Sequence, residues 1–299
     1  MSTVSPATDR RRRIRELRLV FERKLFELLP ATTEKTRLEA SGVEVDGRHL
    51  LVAMDNLHRI ARLPFGVDPF TVRPGDFVGL ATSHGQGFED LTLDAAHRRV
   101  LLLREAVEQK RGVLEAEVVE WTSDFQPIRT RRLPFEFRDA NKGFEGLASI
   151  RRGGREWLLA LCEGNRCRGG KKGREPGGGR IHVFHDVNDA WVKERVLRLP
   201  EDLPFEDYAG LAIDGDRVGV VSQASSLLWI GELESDEWEW RDEGQIYEFP
   251  RTARGELLYT EIEGLAWLGS RRVAVVSDRS KKKRTGETKD QSLHIFDLD

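Results

Sequence analysis

Apolar residues come in short bursts along this chain. HLLVAMD, RVLLLRE, WLLALCE, RVGVVSQ and RVAVVSD each crowd β-branched or aliphatic side chains between charged or glycine-bearing turns. Such runs are too short for ordinary helices and have the length of a strand buried on both faces. Each burst follows a segment of smaller residues, in chain order LEASGVEVD, QGFEDLTLD, KGFEGLASI, EDYAGLAID and TEIEGLAWL. Each is followed by a third strand, HRIARL, GVLEAEVVEWT, RIHVFHDV, SLLWIGEL and SLHIFDLD, and three units add a fourth, IRTRRLP, WVKERVLRLP and GQIYEFP.

Aligned on the small-residue segments, Ser41, Glu89, Glu145, Ala209 and Glu263 share one column, spaced by 48, 56, 64 and 54 residues. That period fits a four-stranded propeller blade. The expected fold is therefore all-β: a β-propeller with five four-stranded blades, or six if two units have merged. The last unit ends at Asp299 after three strands, whereas the N-terminal LRLVFERKLFELLP ends in Leu-Pro, as fourth strands do, 11 residues before Ser41. The segment from about Arg15 to Leu29 is thus expected to be the outer strand of the last blade, closing the ring without an open edge. A competing reading is an amphipathic helix, from the spacing of Ile14, Leu17, Phe21, Leu25 and Leu28. The first unit's fourth strand must lie within PFTVRPGDFVGL. Residues 1–14, with the run Arg10 to Arg13, are expected to form a disordered basic arm and residues 15–299 a single propeller domain. The low-complexity NRCRGGKKGREPGGGR falls between two strands and is a loop.

In an antiparallel meander the start of each first strand and the end of each second strand lie at the same end of the blade. One mouth of the channel should therefore collect Glu89, Glu145 and Glu263 from the first strands, and Asp55, Glu105, Glu163, Gln223 and Asp278 from the second. Carboxylates 4 Å apart near a surface repel by about 4 kcal/mol. A cation, a shared proton or wider spacing must relieve that, unless each Glu bonds backbone amides of the next blade. Ringed oxygens suit Ca²⁺ better than Zn²⁺, with Glu89, Glu145, Glu163, Glu263, Asp55 and Asp278 as candidate ligands. Two basic loops rise from the same rim. Arg166, Arg168, Lys171 and Lys172, with Arg174, and Arg279, Lys281 and Lys282, with Lys283 and Arg284, are candidates to hold an anion, or are simply solvated. Glu145, Glu263 and the loop residue His84 are the candidate acids or bases.

Composition narrows the partners. With 299 residues, 39% hydrophobic, 33% charged and a net charge of -3, nothing points to a nucleic acid or membrane partner. The start lacks an apolar signal core and no run of 18 apolar residues occurs, so a soluble, cytoplasmic protein is expected. Cys162 and Cys167 are expected to be free thiols in a reducing compartment. No GxSxG elbow, P-loop or HExxH motif is present.

EGLAWLGSRRVAVVSDRS, Glu263 to Ser280, resembles the core pattern of bacterial phytase-like propellers, the group named for esterase-like activity of phytase. SGVEVDGRHLLVAMDN in the first unit is similar to SdiA-regulated propellers. The resemblance spans roughly residues 36 to 299. It implies a propeller with an axial acidic mouth and Ca²⁺-dependent hydrolysis of phosphate or other esters, although Ser41 and Ala209 interrupt the acid ring. Two functional classes follow. One is a metal-dependent hydrolase of a small anionic ester; the other is a non-catalytic module binding a protein partner or an anionic ligand on the same face.

Overall fold

The computed structural model describes residues 14–67, 70–79, 87–94, 99–109, 112–138, 142–235, 237–280 and 289–298. His84, the arginine run at Arg10 to Arg13, and Lys281 to Arg284 lie outside the described residues. The described chain begins with β1 (Arg15–Lys24) and one helical turn, α1 (Leu25–Leu28). Five sets of strands then follow the repeat.

The first is β2 (Ala40–Asp46), β3 (His49–Met54) and β4 (Leu57–Val67), with the outer edge split into β5 (Phe70–Val72) and β6 (Asp76–Val78), both paired with β4. The split falls at Pro74, which has no N–H for the ladder. The second holds β7 (Asp90–Asp94), β8 (Arg99–Glu108), β9 (Leu114–Thr122) and β10 (Pro127–Phe137). The third holds β11 (Phe144–Arg152), β12 (Arg155–Cys162), β13 (Arg180–Val187) and β14 (Ala190–Arg198). The fourth comprises β15 (Gly210–Asp214), β16 (Arg217–Ser222), β17 (Leu227–Glu232) and β18 (Gln245–Glu248). The fifth has β19 (Ile262–Trp267), β20 (Arg272–Ser277) and β21 (Ser292–Leu298). Two-residue turns closed by Gly47 (φ 58°) and Gly215 (φ 62°) join first to second strands in the first and fourth sets.

The innermost strands β2, β7, β11, β15 and β19 are neighbours in that cyclic order, with β19 beside β2 again. The second strand of each set packs on both sides, as its unbroken apolar run requires. Leu50, Val52 and Met54 of β3 face Ala274, Val276 and Ile295 of the fifth set, while Leu51 and Ala53 face Phe88, Val100 and Leu102 around the second.

The N-terminal strand closes the fifth set. β1 runs antiparallel to β21 from Leu17 opposite Leu298 to Lys24 opposite Ser292, and its first residues also lie parallel to β18. The expectation of strand out to Leu29 is corrected: the strand stops at Lys24, and Leu25 and Leu28, three apart on one turn, are both fully buried. The helical spacing in the sequence is thus real, but over a single turn. Among the described residues no helix is long and apolar enough to cross a membrane.

Candidate functional site at the channel mouth

Pairing at the start of each inner strand decides where the column residues point. In β2, β11 and β19 the register slips at Ser41, at Glu145 and at Glu263–Gly264. A bulge of this kind leaves a residue out of the ladder and re-aims its side chain. Beside Ser41, Glu145, Ala209 and Glu263 the strands come too close for a side chain: a Cβ on Gly210 would lie 2.1 Å from the Glu263 carbonyl oxygen, and one on Gly264 2.7 Å from Gly42 Cα. Asp90 holds the corresponding place in β7. Fully buried, it accepts the amides of Leu91 (2.8 Å) and Leu147 (2.7 Å), stitching the second set to the third.

Second strands end at the same mouth. Glu89 N bonds Leu103 O (3.0 Å), Glu163 N bonds Gly143 O (3.2 Å) and Asp278 N bonds Glu261 O (2.8 Å). Glu89, Glu105, Glu145, Glu163, Glu263, Asp55 and Asp278 are consequently brought together. Burial, followed by repulsion from Asp55 and Glu105, holds the Glu89 carboxyl well above the usual range. Burial, then Glu89, Glu163 and Glu105, does the same to Glu145. For Glu263 burial leads, then Asp278 and Glu89. Burial and Glu163 push Glu105 up to about 7. Asp55 raises the Glu89 carboxyl further, and Glu145 and Glu163 offer oxygens within 4.8 Å of each other; acids this close relieve their repulsion when one of them keeps a proton.

Ion pairing elsewhere in the chain makes a contrast. At the far end of the second set, Glu120 is fully buried and pairs with Arg99 (2.5 Å), Arg129 (3.2 Å) and Arg131. At the mouth no arginine among the described residues pairs with Glu89, Glu105, Glu145, Glu163 or Glu263; the Lys142 ammonium bonds Glu163. Glu105, Glu145 and Glu163 each offer a carboxylate oxygen within 4.8 Å of the others. Oxygens bound about 2.4 Å from one Ca²⁺ ion are at most about 4.8 Å apart. Glu105 Oε1 and Glu163 Oε2 are buried with no hydrogen-bond partner, so acceptors are left over. The donor set is hard, anionic and under-neutralised, and fits a Ca²⁺-type ion.

Beside the carboxylates lies a cleft of about 590 Å³, lined among others by Lys142, Glu163, Arg168, Lys171, Arg174 and Asp207. The glycine-rich loop that supplies its cations is pinned by Asn165. This fully buried side chain donates to Gly173 O and Phe205 O (both 3.0 Å) and accepts from Gly178 N (2.8 Å) and Tyr208 Oη (2.9 Å). Arg168, Lys171 and Arg174 are therefore presented on a tied loop. Arg166 and Lys172 do not line the cleft; Arg166 bonds Glu175 O (3.4 Å). Arg279 is also outside the lining, and Lys281 and Lys282 lie outside the described residues.

Two of the column positions are silent, as their residue types foretell: Ser41 bonds the Phe88 carbonyl and Ala209 packs in the core. The free-thiol expectation is corrected. Cys162 and Cys167 form a disulfide across five residues, so the pair no longer argues for a reducing compartment. Lys142 and Asp207 lie in the repeated segments KGFEGLASI and EDYAGLAID but fall outside the aligned column, so the repeat did not single them out. Asp207, which accepts Ser222 Oγ (2.6 Å), sits two residues before Ala209; comparing it with Glu261, two before Glu263, could have found it. A second constellation, Ser277 Oγ to His294 Nε2 (2.7 Å) and His294 Nδ1 to Glu22 Oε2 (3.0 Å), has the order of a nucleophile triad. Ser277 and His294 are fully buried, and the group acts as a tie between β1, β21 and β20.

No protein-family model matches the chain, and no curated protein matches it in sequence. Solved structures do. The glutaminyl cyclase of Myxococcus xanthus is similar over 95% of this chain and 98% of its own, with a TM-score of 0.53 at 13% identity. A family 43 β-xylosidase/α-arabinofuranosidase from a compost microbial metagenome covers 96% and 95%, with TM-score 0.51 and 8% identity. The xylan β-1,4-xylosidase of Bacillus halodurans C-125 covers 84% of this chain and 51% of its own, with TM-score 0.51 and 11% identity. At such identities the likeness speaks for the fold, and with the sheets above it defines the chain as an all-β propeller.

Proposed function

We propose that the protein is a cation-dependent hydrolase of a small anionic ester, working at the channel mouth. The observation that carries this reading is the under-neutralised set Glu105, Glu145 and Glu163, with buried, unpartnered carboxylate oxygens, directly beside a cationic cleft. Glu105, Glu145 and Glu163 would hold a Ca²⁺-type ion, with Glu89, Glu263, Asp55 and Asp278 around them. When bound, the ion supplies Lewis-acid polarisation of the ester oxygen. Arg168, Lys171 and Arg174 bind and orient the anion, and Lys142 sits between anion and acids. Glu89 and Glu263, whose ionisation burial and the neighbouring acids oppose, are the candidates to hold or pass a proton beside the ester. The resemblance of Glu263 to Ser280 to phytase-like propellers supports the same reading, as does the presence of hydrolases among the propellers of similar fold.

The test is a screen with p-nitrophenyl phosphate and p-nitrophenyl acetate, with Ca²⁺ and with chelator. The expected result is Ca²⁺-dependent turnover, with Arg168, Lys171 and Arg174 replaced together by Ala raising KM about tenfold or more, as loss of charge-assisted contacts should. Ca²⁺ binding without turnover of any ester would reject the hydrolase and leave a module that binds an anionic ligand.

A further inference from the structure

Cys162 is the last residue of β12, and Cys167 closes the short turn Asn165–Cys167 that follows it. His182 comes from the adjacent strand, β13, opposite Ala160. It is buried among Phe135, Phe144 and Phe184, its Nδ1 has no hydrogen-bond partner, and its Nε2 lies 3.4 Å from Cys167 Sγ. One donor atom from each of the three lies within 4.8 Å of the other two. With Zn–S and Zn–N bonds of about 2.3 and 2.05 Å at a tetrahedral angle, sulfur and nitrogen on one ion sit about 3.6 Å apart. Cys167 and His182 are thus already at the spacing of two ligands of a shared ion. The sulfurs, bonded to one another here, would need to separate to about 3.8 Å on the same geometry, a movement within the short loop between two residues five apart in sequence.

We propose that, when the disulfide is reduced, Cys162, Cys167 and His182 form a site for a soft divalent cation of the Zn²⁺ type, with the fourth position open. The same cysteines then have two states, disulfide or metal thiolate. Reduction by a phosphine is balanced: disulfide, phosphine and water give two thiols and phosphine oxide. Binding the ion then releases two thiol protons. Two thiolates and an imidazole select a soft or borderline ion, whereas the carboxylates of the mouth select a hard one.

Co²⁺ is the probe, since its thiolate charge-transfer band reports sulfur ligation. Protein reduced with a phosphine and then desalted should take up one equivalent of Co²⁺ with that band. Zn²⁺ should abolish the band and excess Ca²⁺ should not. The unreduced protein, identical in sequence, should show none. His182→Phe should weaken Co²⁺ binding by at least about tenfold. The proposal is overturned if the reduced protein shows no band, if Ca²⁺ removes it, if it persists in the Cys162→Ser/Cys167→Ser variant, or if His182→Phe binds Co²⁺ as tightly as the parent.

Discussion

Glu145 and Glu44 are both half-buried carboxylates in the inner ring of strands, yet they differ in what surrounds them. Glu145 stands at a bulge with Glu89, Glu163 and Glu105 as its leading charged neighbours. Glu44 lies three residues beyond Ser41, about 10 Å down β2, where it accepts Val45 N (2.8 Å) and Thr92 Oγ1 (3.3 Å). Burial is the first cause of a raised pKa in both, to about 7 for Glu44. If the mouth is an ion site, only one of them should matter to it. Glu145→Gln is expected to weaken Ca²⁺ binding about tenfold or more, about 1.4 kcal/mol, while Glu44→Gln leaves it within error. Calorimetric titration with Ca²⁺ would check this, and equal effects of the two substitutions would remove Glu145 from the ligand set.

At the level of strands, the closure depends on β1. Leu17 is fully buried against Phe249, Phe296 and Val275, and Leu17→Ala is expected to cost about 2–5 kcal/mol. Glu22 gives the same strand a pH signature. Burial opposes its ionisation, but hydrogen bonds from His294 and Lys289 outweigh that and pull it from 4.5 down to about 2. A depressed carboxyl contributes stability that is present above its unfolded value and lost as pH falls through the folded one. Urea titrations should therefore show stability falling between about pH 4.5 and 2, a slope that Glu22→Gln flattens; an unchanged slope would dismiss the tie. This strand was legible in advance because the Leu-Pro ending and the missing fourth strand are local patterns that the ring must reconcile. The helical turn after it was not, since Leu25 and Leu28 are as apolar as any strand residue and only their burial at one site distinguishes them. Likewise Glu89, Glu145 and Glu263 followed from the repeat, because an antiparallel blade puts equivalent residues at equivalent heights. Lys142, Asp207 and the hub Asn165 did not, because loop paths set their positions and loops differ from blade to blade. His182 was hidden for another reason: it lies 15 residues from Cys167 in sequence and meets it only through strand pairing.

Over the whole molecule, acids are treated in two ways. Glu120 is surrounded by arginines at one end of the ring, while at the other the carboxylates of several blades face one another across the axis. The central claim is that a hard divalent cation completes that second arrangement. A carboxyl held above its ordinary pKa keeps its contribution in full below about 4.5 and loses it as pH rises through the folded value. For Glu105 that value is about 7, and for Glu89, Glu145 and Glu263 the shift is in the same direction. The most direct measurement is the melting temperature at pH 5 and pH 8, with chelator and with Ca²⁺. In chelator, Tm should fall from pH 5 to pH 8. Ca²⁺ at a hundred times its Kd adds about 2.7 kcal/mol and should restore Tm by several degrees at pH 8, with a smaller gain at pH 5, where protons compete. A Tm at both pH values that is indifferent to Ca²⁺, Mg²⁺, Mn²⁺ and chelator would contradict the claim.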